Sequence, residues 1–281
     1  MKTNPKFVMF TDFDGTITLQ DSNDFMTDNI GYGQERRKRG NNAVLEGRAT
    51  FRYDHHIHEI RLWTLMDPRD SFKDMMDSLK TPFPQCIEYL VQNIKLDPHF
   101  NEFLKWALEN NIPVVVLSSG MEPVIRGLLS SVIGPDSEKI DVISNQARAR
   151  PGKAIDEEGG WEIEWHDASD FGHDKSLTIR PYANLPEEQR PTLFYAGDGV
   201  SDLSAARETD LLFAREGKDL VSYCARENVP FTVFEDWSFI TSKVKEIVAG
   251  KTTVHDAARE GYEEYKKSQT KLNGHANGHA Q

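Results

Sequence analysis

Cysteine is almost absent from this chain, whose 281 residues contain two, Cys86 and Cys224, in separate apolar segments. Two isolated cysteines make neither a disulfide framework nor a zinc site with the usual ligand spacing. No apolar run approaches the roughly 18 residues that a membrane-spanning helix needs. The N-terminus has no apolar signal stretch and no cleavage pattern. These absences predict a cytoplasmic protein in a reducing compartment, with no membrane partner.

Positive charge is also scarce, since 33 Lys and Arg stand against 45 Asp and Glu, for a net charge of −12. Binding to duplex nucleic acid depends on basic side chains that neutralise phosphates, so this balance argues against nucleic acid as a partner. A small anionic substrate is compatible if a metal ion reverses the field locally. The basic run Arg36 to Arg39 is interpreted as a solvated loop, with a nuclear-entry signal as the alternative.

Short apolar, β-rich segments alternate with helical patterns along the chain. The five strand-like segments are residues 6–13, 112–119, 192–198, 209–214 and 230–236. Continuous apolar runs of this kind are typical of strands that are buried on both faces. Alternation of such strands with helices predicts an α/β fold with a doubly wound, Rossmann-like parallel sheet.

The interval between the first two strand segments is too long for a loop. It contains several helical patterns, one of them at residues 49–66. We therefore predict a helical insertion at 18–92 within an α/β core made of 1–17 and 93–250. The polar end, 251–281, is predicted to be a partly disordered tail.

Polar clusters follow three of the predicted strands and open one helix. They are Asp12 and Asp14 after the first strand, Ser118, Ser119 and Gly120 after the second, Asp198 and Asp202 after the third, and Lys175 at the start of a helix. Ligands of open parallel sheets bind at the carboxyl ends of the strands. We therefore expect these side chains to converge on one site.

The four aspartates of this set would repel one another unless a cation lies between them. Carboxylate oxygens in such number suit Mg²⁺, a hard cation. The sequence therefore predicts a magnesium site formed by Asp12, Asp14, Asp198 and Asp202.

Phosphoryl transfer fits the same residues. A carboxylate is a competent nucleophile toward phosphorus once Mg²⁺ and Lys175 screen the phosphoryl charge. Asp14 is placed to protonate the leaving alkoxide and later to take a proton from water. The Ser118 hydroxyl and neighbouring backbone N–H groups can hold the phosphoryl oxygens. Small phosphorylated metabolites are the predicted substrates.

The stretches "DFDGT", "VVVLSSG", "GHDKS" and "GDGVSD" resemble, in order, the four motifs of the haloacid dehalogenase phosphohydrolases, over residues 6–214. The resemblance implies that Asp12 is the nucleophile and Asp14 the acid/base. It implies further roles: Ser118 and Lys175 as phosphate-binding residues, and Asp198 as a metal ligand together with Asp12 and the Asp14 carbonyl. Asp202 would support either the metal shell or Lys175.

The insertion at 18–92 resembles the C1-type cap of the phosphoserine-phosphatase-like branch of that family. In this branch an acidic residue nine positions after the nucleophile and a cap arginine help to hold the serine of the substrate. Asp21 falls at the acidic position, but His58 falls at the arginine position, with Arg48 and Arg52 nearby. We therefore assign substrate specificity to these four residues. The stretch "FTDFDGTITLQDSND" resembles the fungal cytosolic phosphatases that act on polyol phosphates.

Several of these residues also have a purely structural interpretation. Ser118 could cap the following helix, and Asp202 could be the N-cap of "LSAARE". The run His55 to His58 is interpreted as a helix face, because no Cys or second His cluster stands at zinc-ligand spacing.

The leading prediction is a magnesium-dependent phosphomonoesterase that prefers polyol or sugar phosphates and forms an aspartyl-phosphate. The alternatives are a phosphoserine phosphatase, another hydrolase of the superfamily such as a dehalogenase, and a non-enzymatic phospho-accepting module. Asp14 argues against the module, because an adjacent acid/base shortens the life of an acyl-phosphate. A monomer and a homodimer are both compatible with the sequence.

Overall fold

The structure of the protein is a computed structural model that describes residues 5–45, 68–169 and 172–276. Its backbone divides into two compact units. The first consists of Met1–Ile17, Asp97–Val116 and Lys175–Gln281, and the second of Thr18–Leu96 and Leu117–Asp174. In the described part of the chain, no helix combines the length and the apolar character needed to cross a bilayer.

Strands and helices alternate through most of the chain. The strands are β1 (Phe7–Thr11), β2 (Val114–Met121), β3 (Asp141–Ala149), β4 (Trp161–Glu164), β5 (Thr192–Gly197), β6 (Leu211–Arg215) and β7 (Phe231–Phe234). The helices are α1 (Ser22–Ile30), α2 (Gln34–Leu45), α3 (Pro68–Asp77), α4 (Phe83–Asn93), α5 (Phe100–Glu109), α6 (Glu122–Ile133), α7 (Lys175–Ala183), α8 (Leu203–Ala206), α9 (Asp219–Glu227), α10 (Trp237–Val248) and α11 (Val254–Ala276).

The first unit is built on a parallel sheet with the strand order β2-β1-β5-β6-β7. Thr11 of β1 lies opposite Val116 of β2 on one side and Ala196 of β5 on the other. The chain leaves β1 toward β2 and returns to β5 on the opposite side, so the strand order reverses beside β1, where open α/β sheets bind their ligands. The predicted α/β class with a doubly wound parallel sheet is confirmed.

The second unit contains the antiparallel hairpin β3–β4 and several helices. Gln146 to Ala149 pair with Glu164 to Trp161 in this hairpin. Trp161 is fully buried, and its indole N–H donates to the Thr81 carbonyl over 2.9 Å. The residues of β4, "WEIE", show the alternation typical of a strand, whereas β3 has no comparable signal. The assignment of 18–92 as a cap stays a prediction.

The basic run Arg36 to Arg39 lies within α2, so its interpretation as a loop is wrong. Arg37 is largely buried and forms ion pairs with Asp24 at 2.5 Å and Asp28 at 2.7 Å. Its hydrogen bonds hold the pKa of Asp28 below the usual value. The carboxylates of Asp24 and Asp28 on α1 therefore offset the cost of burying the Arg37 guanidinium. The predicted helix at 49–66, with the histidine run, lies outside the described residues.

The end of the chain differs from the predicted polar tail, because α11 extends over Val254–Ala276. Ala258 is buried, and the rings of Tyr262 and Tyr265 meet Phe231 edge-on at 6.0 and 5.6 Å. These three α11 residues recur at helical spacing and form an apolar stripe among many charges. The overall composition of residues 251–281 is polar, and it hides a stripe made of so few apolar residues. The composition therefore predicts a tail where the structure has a helix.

Trp237, at the start of α10, joins two chain segments of the first unit. Its buried ring packs on Phe100 and Phe103 with centroid distances of 4.7 and 4.9 Å. Its indole N–H donates to the Thr16 carbonyl over 2.9 Å, and its backbone N–H donates to the Asp97 carboxylate over 3.3 Å. Trp237 therefore ties the segment after Asp14 to the segment that opens α5.

We expect Trp237→Ala to lower the free energy of unfolding by about 3–5 kcal/mol, because it opens a large cavity among aromatic rings. Trp237→Phe, which keeps the ring contacts but loses the indole N–H, should cost about 1 kcal/mol. Trp106→Ala, on α5, is the matched control, since Trp106 is only half-buried. Urea unfolding of the three variants measures the costs, and equal losses at Trp237 and Trp106 would contradict this account.

Candidate active site

Asp12 follows β1 directly and is kept in register with β5 by its backbone. Its N–H donates to the Ala196 carbonyl over 2.8 Å, one step beyond the last paired residues of the two strands. Asp198 follows β5 at the same end of the sheet. Because parallel strands end at the same edge, β1 and β5 bring these two aspartates together, as the sequence predicts.

Two glycines allow the carboxylates to approach the backbone closely. Gly15 has φ of +72°, and a Cβ there would lie 2.2 Å from Asp198 Oδ2. A Cβ on Gly197 would lie 2.5 Å from Asp202 Oδ2. Any side chain would displace these aspartates, so the "DG" and "GDG" patterns have a steric reason. Asp14, in the turn between Asp12 and Gly15, is buried with 8% exposure.

Lys175, the first residue of α7, lies between two carboxylates and is fully buried. Its Nζ is 2.9 Å from Asp12 Oδ1 and 2.6 Å from Asp202 Oδ1. The same Asp12 oxygen accepts the Phe13 N–H over 2.8 Å. A buried ammonium needs such partners, so Lys175 is not a solvated surface lysine.

Asp202 accepts hydrogen bonds on both oxygens and is fully buried. Oδ1 accepts from Lys175 Nζ and from the Tyr195 hydroxyl, the latter over 2.5 Å. Oδ2 accepts from the backbone N–H groups of Asp198 and Gly199, both over 3.0 Å. Its side chain makes no capping bond to α8. This arrangement favours support of Lys175 and of the Asp198 loop over the helix-cap interpretation.

Burial and mutual charge shift the pKa values of this cluster. Burial and the Asp202 carboxylate raise the pKa of Asp12 well above its usual value, and Lys175 opposes that rise. Burial alone would lower the pKa of Lys175, but the carboxylates of Asp12 and Asp202 raise it above its usual value. Burial, followed by the Asp202 charge, raises the pKa of Tyr195. One lysine therefore does not neutralise the cluster, and a further cation would stabilise it.

The carboxylates can hold a metal ion. Asp12, Asp198 and Asp202 each offer one oxygen, and the three oxygens lie within 4.8 Å of one another. Hard cations such as Mg²⁺ take oxygen ligands of this type, so the residues fit the ion. Asp198 is the most accessible of the three, and Lys218 Nζ lies 3.2 Å from its Oδ2. Metal binding through Asp14 stays a prediction.

The predicted phosphate-binding residues Ser118, Ser119 and Gly120 stand at the end of β2. Ser118 is buried, and its Oγ accepts the Gly120 N–H over 3.0 Å. Helix α6 begins at Glu122 with Met121 as N-cap and no side-chain cap, so Ser118 does not cap it. In the described part of the chain, Gly120 therefore orients the Ser118 hydroxyl through this hydrogen bond. Direct phosphate binding stays a prediction for Ser118, Ser119 and Gly120.

Of the four predicted specificity residues, only Asp21 lies among the described residues. Asp21 is exposed and caps α1, with its Oδ1 accepting the Asp24 N–H over 2.8 Å. This bond gives Asp21 a structural role besides the predicted one. Arg48, Arg52 and His58 lie outside the described residues.

Sequence reasoning missed Tyr195 and Lys218. Tyr195 sits within the apolar run of β5, where an aromatic residue is expected for packing alone. Lys218 is half-exposed in the turn before α9, where lysines are common. Only the fold reveals that each contacts an aspartate of the cluster.

Comparison with known proteins gives concordant matches. A profile of the haloacid dehalogenase-like hydrolases matches residues 9–207. The chain is 46% identical over 256 residues to the polyol phosphate phosphatase PYP1 of Saccharomyces cerevisiae, covering 89% of this chain and 97% of that protein. It is 44% identical over 248 residues to Pdp3-interacting factor 1 of Schizosaccharomyces pombe, covering 88% and 98%.

Solved structures of low sequence identity share the fold. A phosphoserine phosphatase with an analogue of its phospho-aspartyl intermediate matches with a TM-score of 0.56 and 16% identity, covering 88% of this chain and 99% of that one. A substrate-bound phosphoserine phosphatase matches with the same score and coverage. At this identity the likeness concerns the fold alone.

Proposed function

This chain belongs to the haloacid dehalogenase-like hydrolase family and is a phosphatase, and we propose that it hydrolyses polyol or sugar phosphates through an aspartyl-phosphate on Asp12. The observation that carries the mechanism is the pairing of Lys175 with both Asp12 and Asp202, at 2.9 and 2.6 Å. It fixes a carboxylate beside a permanent positive charge, as attack on a phosphoryl group requires.

In the first proposed step, a carboxylate oxygen of Asp12 bonds to phosphorus while the ester P–O bond breaks. The leaving alkoxide takes a proton from Asp14, which is therefore protonated at the outset. In the second step, water attacks phosphorus, Asp14 takes a proton from that water, and the bond from Asp12 to phosphorus breaks. The products are the alcohol and inorganic phosphate, and both aspartates return to their starting states.

Magnesium is the proposed cofactor, with Asp12 and Asp198 as its side-chain ligands and Asp202 orienting the loop that carries Asp198. When bound, Mg²⁺ supplies screening of the phosphoryl charge. Lys175 supplies a second positive charge from the protein itself. Ser118 is proposed to donate its hydroxyl hydrogen to a phosphoryl oxygen, because its Oγ already accepts the Gly120 N–H.

The substrate class is proposed from the relatives. PYP1, whose name describes a polyol phosphate phosphatase, is similar over nearly its whole length. The phosphoserine phosphatases share only the fold with this chain. We therefore favour phosphorylated polyols or sugars over phosphoserine. Asp21, Arg48, Arg52 and His58 remain the proposed specificity residues on the 18–92 cap.

Two buried, free cysteines support the proposed cytoplasmic location. Burial raises the pKa of Cys86 and of Cys224 to about 12, which keeps both thiols protonated and unreactive. The net charge of −12 supports the proposal that nucleic acid is not a partner. We propose a monomer or homodimer.

The test is a panel of phosphorylated polyols, sugars, phosphoserine and pyridoxal phosphate, ranked by kcat/KM with Mg²⁺ present. We expect a polyol or sugar phosphate to lead, and we expect EDTA to abolish turnover until Mg²⁺ is restored. Dominance of phosphoserine would reverse the substrate assignment. Full turnover in EDTA would contradict the metal assignment and leave the substrate ranking intact.

A further inference from the structure

Two buried side chains of the second unit hold the end of β2 by its carbonyl groups. His173 Nδ1 lies 2.9 Å from the Ser118 carbonyl oxygen, and Asn145 Nδ2 donates to the Ser119 carbonyl over 2.7 Å. His173 is 2% exposed and Asn145 is 0% exposed. We propose that His173 and Asn145 are positioning residues that set the backbone of Ser118 to Gly120 for phosphate binding; this inference rests on the proposed function.

The hydrogen-bond partners fix the chemical state of both side chains. A carbonyl oxygen can only accept, so His173 must carry a hydrogen on Nδ1. Asn145 Oδ1 accepts the backbone N–H of His166 over 2.8 Å, which leaves the amide nitrogen facing the Ser119 carbonyl. The orientation of the Asn145 amide is therefore determined by contacts at both ends.

Fixing a carbonyl also fixes the next N–H, because the peptide unit is planar and trans, with its C=O and N–H pointing in opposite directions. His173 thereby sets the direction of the Ser119 N–H. Asn145 sets the direction of the Gly120 N–H, which donates to Ser118 Oγ over 3.0 Å. His173 thus orients one backbone donor of the predicted phosphate-binding segment, and Asn145 orients the donor that Ser118 Oγ accepts.

The segment Ser118 to Gly120 keeps a donor available for an anion. With its oxygen already accepting from Gly120, the Ser118 hydroxyl has its own hydrogen left to donate. The Ser119 Oγ is buried and has no hydrogen-bond partner among the described residues.

The experiment compares His173→Asn with His173→Leu, two replacements of nearly equal shape, of which only asparagine can donate to the Ser118 carbonyl. Asn145→Leu tests the hydrogen bond from Asn145 to the Ser119 carbonyl. With p-nitrophenyl phosphate as substrate, we measure kcat, KM, inhibition by inorganic phosphate and half-saturation by Mg²⁺. Both leucine variants should weaken phosphate inhibition and raise KM roughly 10- to 100-fold, the scale of losing an outer partner of a binding group.

His173→Asn should recover phosphate affinity to within about threefold of wild type, a change well under 1.4 kcal/mol, and half-saturation by Mg²⁺ should not move in any variant. Equal phosphate affinity in His173→Asn and His173→Leu would overturn the proposal, as would a parallel loss of Mg²⁺ affinity. If a leucine variant does not fold, the ring nitrogen shifts of His173 in the wild-type protein decide the matter. A hydrogen on Nε2 instead of Nδ1 would contradict the hydrogen bond from His173 to the Ser118 carbonyl. Absence of any magnesium-dependent hydrolysis by wild type would instead count against the proposed function.

Discussion

Asp12→Asn is expected to abolish turnover, with kcat falling by roughly 10⁴-fold or more, as when a covalent nucleophile is removed. The amide oxygen can still accept from Phe13 N–H and Lys175, so the variant should fold as wild type does. What it loses is the carboxylate that attacks phosphorus. Steady-state hydrolysis of the best substrate of the panel measures the loss, and circular dichroism checks the fold.

Asp14→Asn is the matched control, since it makes the same replacement two residues away. It should lose about 10²- to 10⁴-fold, the range of a general acid or base. Because attack by Asp12 remains possible while water activation is lost, the variant should accumulate phosphoenzyme, visible by intact mass as one added phosphoryl group. Wild-type hydrolysis by Asp12→Asn, or phosphoenzyme in that variant, would end the assignment of Asp12 as nucleophile.

The sequence reveals the central strands of this fold because of how they are buried. β1 and β5 are covered on both faces, so each is a continuous apolar run bounded by turn residues. β3 carries several exposed or half-buried positions and has no such run. Helix α11 was hidden for a related reason, since its apolar stripe is narrow and surrounded by charge.

In the candidate site too, the sequence reveals only the residues that a local pattern marks. Asp12, Lys175, Asp198 and Asp202 could be predicted to converge because each stands at the end of a predicted strand or the start of a predicted helix. In the first unit Lys175 lies 2.9 and 2.6 Å from Asp12 and Asp202, and one oxygen each of Asp12, Asp198 and Asp202 lie within 4.8 Å of one another. Asn145 has no such marker, because an asparagine within a strand has many possible roles and only a tertiary contact identifies one.

Asp202→Asn is the second replacement for which we expect a large effect, and it acts on stability as well as activity. An asparagine there must turn an NH₂ group either toward the Lys175 ammonium or toward the N–H groups of Asp198 and Gly199. The first orientation opposes the Lys175 ammonium and the second opposes two backbone donors, and in both cases Lys175 loses one of its two anionic partners. Breaking a buried ion pair in this way costs about 3–5 kcal/mol.

In a protein of this size that loss should lower Tm by roughly 6–10 °C, measured in EDTA so that metal binding does not contribute. Activity should fall with it, because Asp202 no longer helps to fix Lys175 beside Asp12.

Asp198→Asn provides the control, being the same replacement four residues earlier in a side chain that is 18% exposed. The ion pair it breaks involves Lys218, which is half-exposed, and such pairs contribute only about 0–1 kcal/mol. Its Tm in EDTA should therefore stay within about 3 °C of wild type. Its affinity for Mg²⁺, measured by calorimetry, should instead fall at least about tenfold, since a first ligand is lost. The reverse pattern, a stable Asp202→Asn and an unstable Asp198→Asn with normal metal affinity, would exchange the roles of the two aspartates.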